Sequence, residues 1–356
     1  MMVNKKNNEI ELLRFFAALM IVLYHAHKQA FGDPSFDTFS FSFFCHGYIA
    51  VEFFFVLSGI LLGKHLYKYR CMEDTGKEQL GKDTVDYVVN KAKSFAPEAI
   101  ISTIISIATF IVIKQYTLEE SFFYIADSFW NLLLLKDLGF ASESPNGVLW
   151  YLTALLVATP VIYYMGRKSY DRSVRFIMPF AALLILGYLD YTTGMLSGVH
   201  QWVIIAYKCL WRGLAEMMIG CTLYEYIVNY QNARNDSLIR RTAITVLQLV
   251  LVFLVTIYSC LNITREYEFH CLLAIIVILF IVFSKKSLIS NLFNNKICSY
   301  LGSISLCMFV NQMFCIRLAE AYIGFENLAA YYLFVVVSDI LSAIVLNKCT
   351  ALLRHK

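Results

Sequence analysis

Charge is what this sequence has little of. Only 16% of its 356 residues are Asp, Glu, Lys or Arg, against 59% hydrophobic residues and a mean hydropathy of +0.61. A soluble domain carries about 25% charged residues. A chain this poor in charge cannot cover a globular surface of its size, so lipid is the expected solvent for much of it. The formal charge of +4 is too small to indicate a nucleic-acid partner. The ten cysteines have no CxxC spacing and no paired framework, and they lie mostly inside apolar runs, as small packing residues do. They carry no information on redox compartment. There is no low-complexity tract, no appended soluble domain and no obvious repeat, so residues 1–356 read as a single membrane domain. No small-x-small cleavage site follows the first apolar stretch, and Arg14 and His25 interrupt it. That stretch is therefore expected to be a transmembrane helix rather than a signal peptide.

What the sequence has in abundance is long apolar stretches. A span needs about 20 mostly apolar residues. By that measure ten helices are expected, over roughly 10–30, 43–66, 96–114, 147–165, 174–190, 202–228, 242–261, 269–284, 297–322 and 329–353. The expected fold is an all-α, polytopic integral membrane helix bundle of about ten transmembrane helices. A shorter segment, 121–135, follows Glu119 and Glu120 and is expected to lie at the interface or re-enter rather than form an eleventh span. Basic residues should collect in cytoplasmic loops. With a cytoplasmic N-terminus the inner segments hold 22 of the 30 Lys and Arg residues, and the outer ones only Lys28, Lys114, Lys136 and Arg265. An odd number of spans would scramble this alternation, so both termini are expected in the cytoplasm of a multi-pass cell-membrane protein. The longest inner loop, about 67–95, mixes both signs and is expected to be partly helical.

Four basic residues remain at membrane depth: Arg14, Lys208, Arg212 and Arg317. Glu52, Glu216, Glu320 and Asp339 are their acidic counterparts. Each costs roughly 2.5–3.5 kcal/mol near a helix centre, so each needs a partner or a polar cavity. Arg212 with Glu216, and Arg317 with Glu320, are spaced for plain neutralising pairs on one helix. Asp339 is expected to satisfy a neighbouring helix.

Arg14 and His25 are eleven residues apart, which returns them to one helix face about 16 Å apart along the axis. That face presents a fixed cation near the inner end and a titratable base towards the outer end. Glu52, on the second helix, falls at a depth comparable with His25. A carboxylate there would hold the imidazole's tautomer and stabilise its protonated form, as a general base requires. The alternative is that Glu52 pairs with a basic residue elsewhere. Ser58 and Gly59 suit close helix approach rather than nucleophilic chemistry. A metal site from His25, His27, His46 and Glu52 is a third and disfavoured reading, because His25 and His27 do not face each other on a helix.

These residues resemble acyltransferase family 3 of membrane enzymes. Glu11-Leu12-Leu13-Arg14 leading to Leu23-Tyr24-His25 is similar to the family's arginine, ten residues, histidine signature. The stretch from Gly47 through Glu52-Phe53-Phe54 to Ser58-Gly59 resembles its glycine–acidic–Phe-Phe-x-x-Ser-Gly segment. Trp150-Tyr151-Leu152, Arg212-Gly213 with Gly220, and Leu301-Gly302-Ser303-Ile304-Ser305-Leu306 are similar to later family elements. The resemblance implies an O-acyltransferase, most often an O-acetyltransferase, that uses acetyl-CoA or another acyl-CoA as co-substrate, with no bound cofactor. Its acceptor would be a hydroxyl of a cell-surface carbohydrate or lipid-linked saccharide.

Two departures stand out. Where the family has two arginines before a proline, this chain has Lys91-Ala92-Lys93-Ser94-Phe95-Ala96-Pro97, so donor phosphates would meet Lys91 and Lys93 as point charges. Where a late histidine is common, the chain has Asn311-Gln312. Arg14 is a further candidate donor contact, or a donor to developing oxyanion charge. Trp150 would stack on a sugar or sit in an interfacial belt, and Arg212 is a candidate substrate contact. The competing class is an exporter or flippase of saccharide intermediates, with Arg14, His25 and Glu52 as a proton relay.

Overall fold

In hydrocarbon the backbone has no water to bond, so each long apolar run must close its hydrogen bonds on itself as a helix. The computed structural model describes residues 7–32, 40–71, 79–232 and 237–354. Lys5, Lys6, Lys77, Arg234 and Lys356, which entered the basic-residue count, lie outside the described residues. The helices are α1 (Asn8–Phe31), α2 (Ala50–Leu66), α3 (Leu80–Lys93), α4 (Ala96–Lys114), α5 (Leu118–Asp127), α6 (Phe129–Leu132) and α7 (Trp150–Lys168). They continue with α8 (Met178–Thr193), α9 (Lys208–Asn232), α10 (Leu238–Ser259), α11 (Glu268–Ser284), α12 (Lys296–Tyr322) and α13 (Leu328–Arg354). The chain folds as an all-α membrane helix bundle.

Among the described residues, nine helical segments are long and apolar enough to cross a membrane. The tenth expected span is α9, which is long enough at 25 residues but carries Lys208, Arg212 and Glu216. Those charges are tolerated because α9 is the central helix, packed against α2, α7, α8 and α11. Its start differs from expectation. Residues 202–207 form a two-stranded turn, Trp202–Val203 against Ala206–Tyr207, with Ile204 in the left-handed region, so the helix begins at Lys208. Segment 118–132 is two short helices, α5 and α6. The ten residues of α5 are too short to span, and they expose Leu118, Phe122, Phe123 and Ile125. The segment is thus too short and too broken to form an eleventh span. The connection over 67–95 is helical over α3, in line with the expectation that it is partly helical.

Contacts between the described ends bring the start of α1 and the end of α13 to one side of the bundle. Asn8 donates to the Asn295 carbonyl before α12 (3.1 Å), and Arg354 donates to Glu98 at the start of α4 (2.8 Å). We refer to this side as the basic end. Of the charges at membrane depth, Arg317 does not bond Glu320. It lies near the Ser106 carbonyl and over the Phe110 ring, while Glu320 accepts from Gln29 (2.8 Å). Asp339 is fully buried, and neither carboxylate oxygen has a hydrogen-bond partner among the described residues, contrary to the expected link with a neighbouring helix.

The closest crossing is between α2 and α9. A Cβ at Gly59 would collide with the Met217 backbone, and one at Gly220 with the Val56 carbonyl and the Ile60 amide. Glycine is needed here for backbone approach, and the two motif glycines meet each other across the crossing. Gly220→Val is expected to push α9 away from α2 and destabilise the protein by about 1–3 kcal/mol or more, read as a lower thermal midpoint of the detergent-solubilised protein. An unchanged midpoint would count against this packing.

Candidate active site

His25 stands three-quarters of the way along α1. Its ring nitrogen Nδ1 lies 3.0 Å from the Ile21 carbonyl one turn earlier. A carbonyl only accepts, so Nδ1 carries the proton and Nε2 is left with a lone pair. His25 lines a cavity of about 670 Å³ that Trp150 and Arg212 also line. Trp150 is only 8% exposed, and the Arg212 guanidinium carbon lies 5.4 Å from its ring centroid. Trp150 is thus a wall of the cavity and not a belt residue.

Glu52 does not meet His25. It is fully buried on α2 and faces Arg212 of α9, with Arg212 Nε donating to Oε2 (2.9 Å) and the second nitrogen 2.5 Å from Oε1. Arg212 also bonds Glu216 (3.1 Å) and donates to the Leu196 carbonyl (3.2 Å). The expected carboxylate–imidazole pair is therefore corrected. Arg212 claims both the α2 and the α9 carboxylate, because a buried ion needs an opposite charge more than a neutral ring does. Arg212 reaches the cavity but has committed its donors to the wall, so it braces the site from behind.

Arg14 lies towards the basic end, bonded to Glu11 (3.1 Å) on its own helix. The three members of the alternative proton relay are thus held separately. Arg14 is on Glu11, Glu52 is on Arg212 and His25 is on Ile21. His27 contacts Tyr332 and Ser42, and His46 contacts Tyr48, so neither turns towards His25.

The model of a family described as an acyltransferase domain matches residues 7–348, nearly the whole chain. The chain belongs to acyltransferase family 3. No curated protein and no solved structure matches it.

In this acyltransferase the two lysines that replace the family's arginines lie at the C-terminal end of α3. Lys91 is half-buried and Lys93 exposed. Burial, with the nearby Arg14 guanidinium adding to it, pushes the Lys91 ammonium below its ordinary value. The Arg14 and Lys91 charges repel each other at the basic end, a repulsion that an anion would relieve. An aromatic layer adjoins the cavity residues Trp150 and Phe309. Tyr151 contacts Ser58 Oγ (3.2 Å) and packs its ring against Phe55 and Phe309.

Gln312 of α12 brings its side chain to the His25 imidazole, although no hydrogen bond joins the two in this structure. Its amide nitrogen donates to the Phe309 carbonyl (2.6 Å), which turns the carboxamide oxygen to the free side. That buried oxygen has no donor. A proton on His25 Nε2 would supply one. Sequence reasoning noted Gln312 only as a departure from the late histidine. The available signal was a carboxamide in an apolar helix, which needs a polar neighbour. Gln312→Leu is expected to lower kcat about tenfold, less than the loss of the base itself, with donor KM little changed. Gln312→Glu should restore most of it. Equal kcat in the leucine variant would remove Gln312 from the site.

Proposed function

We propose that this protein is a cell-membrane O-acyltransferase that moves an acyl group, typically acetyl, from cytoplasmic acyl-CoA to a saccharide hydroxyl on the opposite side. The observation that carries the proposal is His25, with its tautomer set by Ile21 and its free nitrogen at a cavity large enough for a sugar unit.

In this account the basic end is cytoplasmic, as basic-residue counting suggests. Donor phosphates rest against Lys91, with Lys93 and Arg14 beside it, and the pantetheine arm runs along α1 past the aromatic layer. The acceptor is a cell-surface or lipid-linked saccharide in the cavity, with Trp150 as its stacking wall. His25 Nε2 removes the hydroxyl proton while the oxygen attacks the thioester carbonyl. The tetrahedral intermediate collapses with cleavage of the carbon–sulfur bond. The imidazolium, held by Gln312, returns its proton to the departing thiolate, leaving an ester and free CoA. Acetyl-CoA is a co-substrate, and no bound cofactor takes part.

The test is to supply membranes containing the protein with carbonyl-labelled acetyl-CoA and a mixture of surface glycans. Label in alkali-labile glycan esters is expected. Robust glycan export without label would replace this account with the exporter.

A further inference from the structure

We propose that the acceptor bound in the cavity is an anionic saccharide, one carrying a carboxylate or a phosphate beside the sugar that is acylated. This rests on the acyl-transfer reading and specifies its substrate.

Apart from tyrosines, the titratable residues lining the cavity are His25, Lys28, His200, Arg212 and Arg265. All are basic, and among the described residues no Asp or Glu lines it. The nearby carboxylates are turned to other work. Glu52 and Glu216 hold Arg212, and Asp137 holds His200 Nε2 (2.9 Å). Glu268 is fully buried and accepts from the Leu196 and Ser197 amides, the Ser197 hydroxyl (2.8 Å) and the Tyr48 hydroxyl (2.5 Å).

By gripping Leu196 and Ser197, Glu268 fixes the next residues as the cavity wall. Gly198, at φ +76°, turns the chain, and the amides of Gly198, Val199 and His200 donate to no acceptor among the described residues. Successive unbonded amides at a left-handed turn make a concavity that favours anions.

Behind this wall sits Lys208, which the catalytic account leaves unused. Its residue exposure is 0%, and a Cβ at Gly198 would lie 3.2 Å from its ammonium nitrogen. Its hydrogen-bond partners are all neutral: Thr193 Oγ1 (3.5 Å), the Met195 carbonyl (3.4 Å) and Gln201 Oε1 (3.3 Å). Glu268 acts on it only through space. A buried ammonium without a bonded carboxylate is expensive, and here only a glycine separates it from the cavity. An anion entering the cavity would compensate it, with Lys28 at the mouth attracting that anion from solution.

The test is equilibrium binding to the purified full chain of four labelled probes of equal length. These are a neutral tetragalactoside, its galacturonate counterpart, the methyl ester of that counterpart, and a 6-phosphate form. One or both acids should bind at least tenfold tighter than the neutral and esterified probes, and the two acids distinguish carboxylate from phosphate. The preference should shrink in 0.5 M salt and fall severalfold in Lys208→Met. The exposed Lys28→Gln, which is not expected to disturb folding, should reduce it separately. Equal binding of acid and ester, binding of none of the four, or full preference in both variants would overturn the inference. A parallel transfer assay with acetyl-CoA separates the two claims. Acid preference without transfer would leave this inference standing and remove the reading beneath it, and transfer without acid preference would do the reverse.

Discussion

His25→Ala is expected to lower acyl transfer about 10²–10⁴-fold, the range a positioned general base contributes, while the protein still inserts and folds. His25 makes its one backbone contact within its own helix, to Ile21, so its loss leaves no inter-helix bond broken there. His25→Gln should be equally inactive, because a carboxamide can donate to Ile21 but cannot take a proton. The pH dependence follows in sign. The base works as neutral imidazole, so the rate should rise with pH through the titration of His25 and then level off. A flat profile, or a glutamine variant with near-parental kcat, would assign the proton transfer to another group.

The second large effect is on stability. Arg212→Leu should destabilise the bundle by about 3–5 kcal/mol, because it leaves the Glu52 and Glu216 carboxylates buried without their cation. The protein is expected to melt far lower in detergent or to be degraded before purification. The compensated variant Arg212→Met with Glu52→Gln and Glu216→Gln removes the charges together and should recover most of the lost stability. It should not recover full activity, since the wall that Arg212 ties to Leu196 and Trp150 is no longer braced. If Arg212→Leu melts like the parent, the ion cluster is not what joins α2 to α9.

Much of the bundle was readable from the order of residues, because span length and loop charge both follow from the bilayer's demands. Even α9 was expected, although Lys208, Arg212 and Glu216 break its apolar run. Its start was not, since the turn at 202–207 is as apolar as a helix and differs only in backbone shape. The site was readable one helix at a time. The common face of Arg14 and His25 follows from helical repeat, and the Arg212–Glu216 pair from i,i+4 spacing. Partners on different helices were not readable. Depth alone placed Glu52 level with His25, but rotation about α2 points it to Arg212, and no local pattern sets that rotation. Gln312 escaped for the same reason, being distant in sequence and neutral. Lys208 appeared only as a stray charge until the Gly198 wall gave it a neighbour.

The central claim is that donor and acceptor sit on opposite sides of the bundle with His25 between them. The direct measurement uses sealed vesicles with the protein in one known orientation, acetyl-CoA confined to one side and the glycan to the other. The account predicts labelled ester only when acetyl-CoA faces the end carrying Lys91 and Lys93 and the glycan faces the cavity of His25, and none with His25→Ala. Equal labelling with both substrates confined to the basic side would contradict it.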